Sequence, residues 1–249
     1  MSQQLTVFFN RDPLGTITLH GKGDQYGLEY DPSWLTGEGF PISPHLKPGE
    51  CESEQVKRFL SNLLPEGKWL EELSQDNQIS KSNIFGLVAL IGAETTGALT
   101  FKYDGTDREP RSTEFRAVSP EELTERTAQR QTVSIGKWDA KPRLSVTGVQ
   151  DKLPILIRPG GDMGFGEGDL ASTHILKFGK RPDMHMMVNE FICMKLARLA
   201  KLPVANVSLR RFGEPVLVVE RFDRRWNGNR IDRLHLIDGC QMLDLPPTY

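Results

Sequence analysis

The chain has 249 residues, with 31 Lys+Arg against 33 Asp+Glu and a formal net charge of −2 at pH 7. That length carries one large or two small domains with a core that needs no stapling, and the balanced charge excludes nucleic-acid binding driven by bulk electrostatics. Cys51, Cys193 and Cys240 are odd in number and far apart, so they form neither a disulfide framework nor a CxxC knuckle. The opening MSQQLTVFFNRD has no basic n-region followed by an apolar stretch, and no run approaches 18 apolar residues. The expectation is a cytoplasmic protein with no membrane association.

The first 30 residues read as β-structure. LTVFF and TITLH are split by RDPLG, where Pro13 and Gly15 supply turn dihedrals, and GKGDQ separates TITLH from YGLEY. Val56, Phe59, Leu60, Leu63 and Leu64 share one face at a 3.6-residue period, which predicts a helix over 52–64 ended by Pro65. A second helix is expected over 66–75, and a third from near Ser82 carrying Ile84, Leu87, Val88 and Ile91. TTGALTFKY returns to strand, and the polar DGTDREPRSTEF reads as a connector. Ser119 is placed to cap a short helix, Pro120 suits its first turn, and Glu122 takes the capping-box position.

From Leu144 the pattern is strand, turn, strand, loop, strand, helix, strand, strand. PGGDMGFGEGD is read as a flexible hairpin tip rather than a phosphate loop, since no helix follows it and no Lys-Ser/Thr closes it. A helix over 187–201 is expected to bury Phe191, Met194 or the Lys195 stem, and Leu199, with Cys193 on its apolar stripe. VSLRRFGEPVLVVERF gives two strands joined at 212–215, and the arginines that follow, Arg221, Arg224, Arg225 and Arg230, read as a solvated loop. The fold class is α+β. Its parts are an N-terminal subdomain over 1–103, a connector with a short helix over 104–143, and an antiparallel sheet with one main helix over 144–249.

Residues 143–177 are the most informative stretch, with an arrangement that a nucleotide site needs. RLSVTGVQDKLPILI places a turn of small bulk between two β-patterned runs, and a lysine follows one strand later in STHILK. Such a turn lets backbone N–H groups approach phosphate, and a fixed cation neutralises the charge. The spacing equally fits a hairpin with a Thr-Gly turn, because neither GxGxxG nor GxxxxGK[ST] is present. In THILK, alternation sends Ile175 and Lys177 to one face and His174, Leu176 and Phe178 to the other. Ile175 is expected to be buried, which puts Lys177 on a sheltered face in need of an anion; the alternative is a strand-end lysine reaching water. Val216–Val219 read as a buried strand, and ERFDRR after it as a charged loop. The five histidines form no HExxH or HxH pair, so no built-in metal site is expected. No Gly-x-Ser-x-Gly elbow occurs.

LSVTGVQDKLPILI, STHILKF, MVNEFICMKLARLAKLPVANVSL and VLVVERFDRRW resemble, in this order, the HipA family of bacterial toxin kinases. The upstream run YDPSWLTGEGFPISPHL, FLSNLLPEG and NIFGLVALIGAETTGAL resembles the N-terminal subdomain of the same family. The resemblance implies that 144–249 form a kinase-like N-lobe. It implies that Lys177 holds the phosphates of ATP and pairs with an acid on the following helix, where Glu190 is the only carboxylate. Glu220 and Phe222 would read the adenine edge through backbone groups, with Asp223 near the ribose. Val146, Thr147, Gly148 and Lys152 match the segment that covers the phosphates. Ser145 matches a serine that such kinases autophosphorylate, a dianion that ejects the covering loop from the nucleotide site.

The family activity is ATP- and Mg²⁺-dependent phosphorylation of protein serine or threonine, with aminoacyl-tRNA synthetases among its targets. Family members act as toxins held by a small helix-turn-helix antitoxin that also binds operator DNA. Phosphoryl transfer needs a carboxylate to orient the hydroxyl and an Asp to hold Mg²⁺. Asp232, Asp238 and Asp244 stand in no matching context, so these residues are expected beyond Tyr249 and the isolated chain is expected to be inactive. The rival expectation is a non-catalytic binding module, or half of a split kinase, that binds an antitoxin or neutralises a partner kinase.

Overall fold

The computed structural model describes residues 2–21, 24–37, 39–104, 112–139, 141–143, 150–179 and 185–247, and they fall into two compact units. In the first, β1 (Gln3–Phe9), β2 (Asp12–His20) and β3 (Gln25–Tyr30) are followed by α1 (Pro32–Thr36), α2 (Ser53–Ser61), α3 (Lys68–Asn77), α4 (Ile84–Ile91) and β4 (Leu99–Tyr103). The strands form one antiparallel sheet in the order β3-β2-β1-β4. Val56, Phe59 and Leu60 of α2 are buried, as their spacing predicts, and Glu52 and Gln55 close a capping box at its start. Asn83 caps α4 by accepting the Gly86 N–H at 2.9 Å.

The first hairpin differs from expectation. The chain reverses at Asn10, where φ is 55°, and Pro13 and Gly15 lie inside β2. A bulge between Val7 and Phe8 shifts the ladder next to Pro13, which has no N–H to give it. Gly15 is required because a Cβ there would stand 2.3 Å from the Glu29 carbonyl oxygen.

In the second unit, β5 (Phe115–Ala117) and α5 (Pro120–Gln129) precede the short pair β6 (Lys137–Trp138) and β7 (Lys141–Pro142). Then come β8 (Lys152–Ile157), β9 (Met163–Gly166), β10 (His174–Phe178), α6 (His185–Leu199), β11 (Val207–Phe212), β12 (Glu214–Glu220), β13 (Arg224–Asn227) and β14 (Arg230–Arg233). Six strands form an antiparallel sheet in the order β11-β12-β10-β8-β9-β5. Only residues 159–162 of the glycine-rich segment form the hairpin tip between β8 and β9, closed by the Arg158 N–H on the Asp162 carbonyl at 2.9 Å; Met163–Gly166 are β9 itself, with Met163 and Phe165 buried. Ser119 caps α5, but Glu122 turns to Arg116, whose guanidinium donates to it at 2.6 and 2.7 Å. Arg130 and Glu214 form a buried ion pair at 2.7 Å that ties the end of α5 to the start of β12.

One face of this sheet is core: Leu153, Ile155, Leu176, Phe178, Val216 and Val218 are buried there. α6 lies against β11 and β12. Its inward residues include buried Met187 and half-buried Phe191 and Met194. Two expectations for this helix fail. Leu199 is 79% exposed, and Cys193 is exposed rather than in the core. The reason is visible in the sequence: positions 192, 193, 196 and 199 are apolar as well, so the helix has two apolar faces and periodicity cannot choose between them.

Residues 233–247 group with the first unit, although the sequence reading assigns them to 144–249. There, α7 (Gly239–Leu243) opens with a capping box of Asp238 and Gln241. Arg58 grips Asp244 with two hydrogen bonds at 2.9 and 2.5 Å. Asp238 and Asp244 thus have structural partners, and Asp232 pairs with Arg230 at 2.9 Å.

Candidate functional site

Strand alternation and the helix after β10 build the site. The register sets Lys177 opposite Leu217 on β12 and Lys152 on β8, so the two lysines stand side by side on one face of the sheet. Cover on that face is uneven: Ile175, expected in the core, is half-buried, while Leu217 beside Lys177 is fully buried, as are Leu176 and Phe178 on the opposite face. On α6, Met187, Glu190 and Met194 recur at three- and four-residue steps and share a side. This brings Glu190 back to the strand, where its carboxylate accepts from Lys177 Nζ at 2.6 Å. The two side chains keep 26% and 32% of their exposure. An ion pair that open is weak in itself. What it does is hold a cation in one place while leaving it within reach of a ligand.

The segment after β12 alternates sharply. Glu220 is exposed, and its carboxylate accepts from the Asn206 side-chain amide at 2.7 Å. Phe222 is 71% exposed. Asp223, expected beside a ribose, is only 3% exposed. Its two oxygens accept from Arg221 Nε at 2.9 Å and Nη2 at 2.8 Å, and from Arg224 Nη1 at 2.8 Å. Arg221 also donates to the Ser172 hydroxyl at 3.0 Å. Arg221 and Arg224 are therefore buried and paired, not part of a solvated loop, whereas Arg225 and Arg230 are exposed. The arginine run alone suggested solvation; the signal for burial was the period-2 alternation through Glu220-Arg221-Phe222-Asp223, which sends 221 and 223 to one side.

His174 faces the core side at the end of β10, with Nδ1 2.8 Å from the Thr173 hydroxyl. Burial holds its pKa below the usual histidine range; Glu220 opposes that shift and Arg210 adds to it. Ser145, Val146, Thr147 and Gly148 lie outside the described residues. Among the described residues, no group of three or more His, Cys, Asp and Glu could hold a metal ion. No helix among them is long and apolar enough to cross a membrane.

An antiparallel sheet whose lysine is met by a glutamate from the next helix is a feature of kinase-like folds. Residues 5–102 match the HipA N-terminal domain and residues 144–249 the HipA-like C-terminal domain. The serine/threonine-protein kinase toxin HipA of Shewanella oneidensis is 40% identical over 92% of this chain and 53% of its own length. The putative kinase Y4mE of Sinorhizobium fredii is 30% identical over 98% of this chain and 60% of its own. The Shewanella HipA in complex with HipB and its operator DNA superposes with a TM-score of 0.83 and 38% identity, covering 98% of this chain and 57% of that one. The chain belongs to the HipA family. It spans about half the length of the curated relatives it matches.

Proposed function

We propose that this chain is the nucleotide-holding part of a serine/threonine-protein kinase toxin of a toxin–antitoxin system. The observation that carries the reading is the Lys177–Glu190 pair, at 2.6 Å and partly exposed, with Lys152 beside it in the sheet register. An isolated surface ion pair needs no such address. A phosphate clamp does: it must place a positive charge where phosphate arrives and keep it there without sealing it off.

The residues present suit ATP. ATP supplies the phosphoryl group that a protein serine or threonine receives. Lys177, oriented by Glu190, offsets phosphate charge, and Lys152 adds a second cation on the same face. Backbone groups of Glu220 and Phe222 meet the base, while Val146, Thr147 and Gly148 cover the phosphates and Ser145 is the regulatory phosphorylation site. Mg²⁺ and the carboxylate that orients the acceptor hydroxyl belong to sequence that the longer relatives carry and this chain does not span. Work in the cytoplasm, a helix-turn-helix antitoxin partner and operator DNA reached through it complete the proposal. The likeness to the Shewanella assembly of HipA, HipB and operator DNA supports that partnership.

The test is transfer of labelled phosphate from ATP to protein by a form of this protein extended to the relatives' length. Lys177→Ala should abolish transfer and Lys201→Ala, at an exposed position after α6, should leave it intact. Equal activity of the two variants would remove Lys177 from the chemistry.

A further inference from the structure

We propose that Arg221, Asp223 and Arg224 form a buried lock that positions the exposed Glu220–Phe222 segment for discrimination among nucleotide bases. The inference rests on the nucleotide reading above and adds residues whose side chains touch no ligand. Their task is to fix the backbone that does.

The segment leaves β12 after its last ladder pair, Glu220 opposite His174. Two main-chain hydrogen bonds hold it from below: Glu220 N–H donates to Asn206 O at 2.9 Å, and Arg221 N–H to Thr173 O at 2.9 Å. The chain then turns into β13, which begins at Arg224. Asp223 sits inside that turn and is held from both ends. Arg221 embraces its carboxylate in a two-point fork and Arg224 adds a third bond, while Arg224 Nη1 also donates to the Asp223 carbonyl at 2.9 Å. Ser172 fixes Arg221 from the neighbouring segment at 3.0 Å. With three charged side chains tied inward, Glu220 and Phe222 are left facing out.

Three charges buried at one turn are a poor way to gain stability, because desolvation offsets most of the attraction. They are a good way to select one conformation, because each fork bond is directional. A base edge is read by donors and acceptors that must stand within tenths of an ångström of their places, and a turn that wobbles reads nothing. The same geometry removes Asp223 from the surface as a ligand contact and gives it a structural reason to be an aspartate.

The test is titration of the 249-residue chain with ATP and with GTP. The proteins are the wild type, Lys177→Ala, Asp223→Asn, Arg224→Lys and Ser172→Ala, each checked for folding by circular dichroism. The wild type should prefer one base. Lys177→Ala should weaken both nucleotides by the same factor and leave their ratio unchanged. Asp223→Asn can fail to fold, so the decisive variants are Arg224→Lys, which keeps the charge and loses the planar guanidinium whose Nη1 bonds both the carbonyl and the carboxylate of Asp223, and Ser172→Ala, which removes one hydroxyl. In these the ATP-to-GTP affinity ratio should shift toward unity by roughly threefold or more, with faster amide exchange in the 220–224 peptide. An unchanged ratio in folded Arg224→Lys and Ser172→Ala would overturn the lock while leaving the nucleotide site standing. No nucleotide binding by the folded wild type would overturn the nucleotide reading and the lock with it.

Discussion

Two ion-pair constellations in the second unit use similar chemistry to opposite ends. Lys177 and Glu190 join a strand to a helix across one 2.6 Å contact, with about a quarter to a third of each side chain in solvent. Arg221, Asp223 and Arg224 close a turn through three contacts of 2.8–2.9 Å, all three residues under 10% exposed. The open pair contributes little to folding, and its cation remains available. The buried cluster ties the Asp223 carboxylate to two guanidinium groups and leaves little of any of the three side chains in solvent. On the proposed reading, what separates the site from its scaffold is solvent access, not the presence of paired charges.

The comparison is broken most forcefully by removing one member of each. Asp223→Asn leaves two guanidinium groups facing a neutral partner in a buried turn and should cost about 3–5 kcal/mol. Lys177→Ala breaks an open pair and should cost no more than about 1 kcal/mol. Urea unfolding of the two variants measures both. Equal losses would mean that access does not separate the roles.

A smaller effect sharpens the account of the sheet around the site. Burial holds the pKa of His174 below its unfolded value, and the same cause acts on His235 in the first unit. The unfolded chain therefore binds more protons as pH falls through about 6.5, the ordinary histidine value. Stability should be fullest above that value and decline toward about pH 5. In His174→Gln the thermal midpoint should decline less over this window, with the remainder carried by His235. A midpoint that rises on acidification would reverse the sign and contradict the burial argument.

Much of this was legible in the sequence where one physical pattern dominated. The 3.6-residue period of Val56, Phe59 and Leu60 fixed both the existence and the buried face of α2. The two-residue period of THILK put Lys177 opposite Leu176 and Phe178, and Glu190 stood out as the only carboxylate on the helix after it. Legibility failed where two patterns competed. α6 is apolar on both sides, so its inner face was only partly legible: Phe191 and Met194 were placed inward, while Cys193 and Leu199 were misplaced. Charge in ERFDRR masked an alternation that buries Arg221 and Asp223. At Pro13 and Gly15, residues that usually make turns serve instead a bulge and a close backbone approach, and only the neighbouring strands could reveal that.

The most direct test of the central claim is to compare the affinity of the chain for ATP with its affinity for adenosine, in the wild type and in Lys177→Ala. If Lys177 is a phosphate clamp, the wild type binds ATP more tightly than adenosine. Lys177→Ala then loses most of that advantage, binds adenosine unchanged and unfolds at nearly the same temperature. A Lys177→Ala protein that keeps the full preference for ATP over adenosine would contradict the account, and would reduce the Lys177–Glu190 pair to an ordinary strand–helix contact.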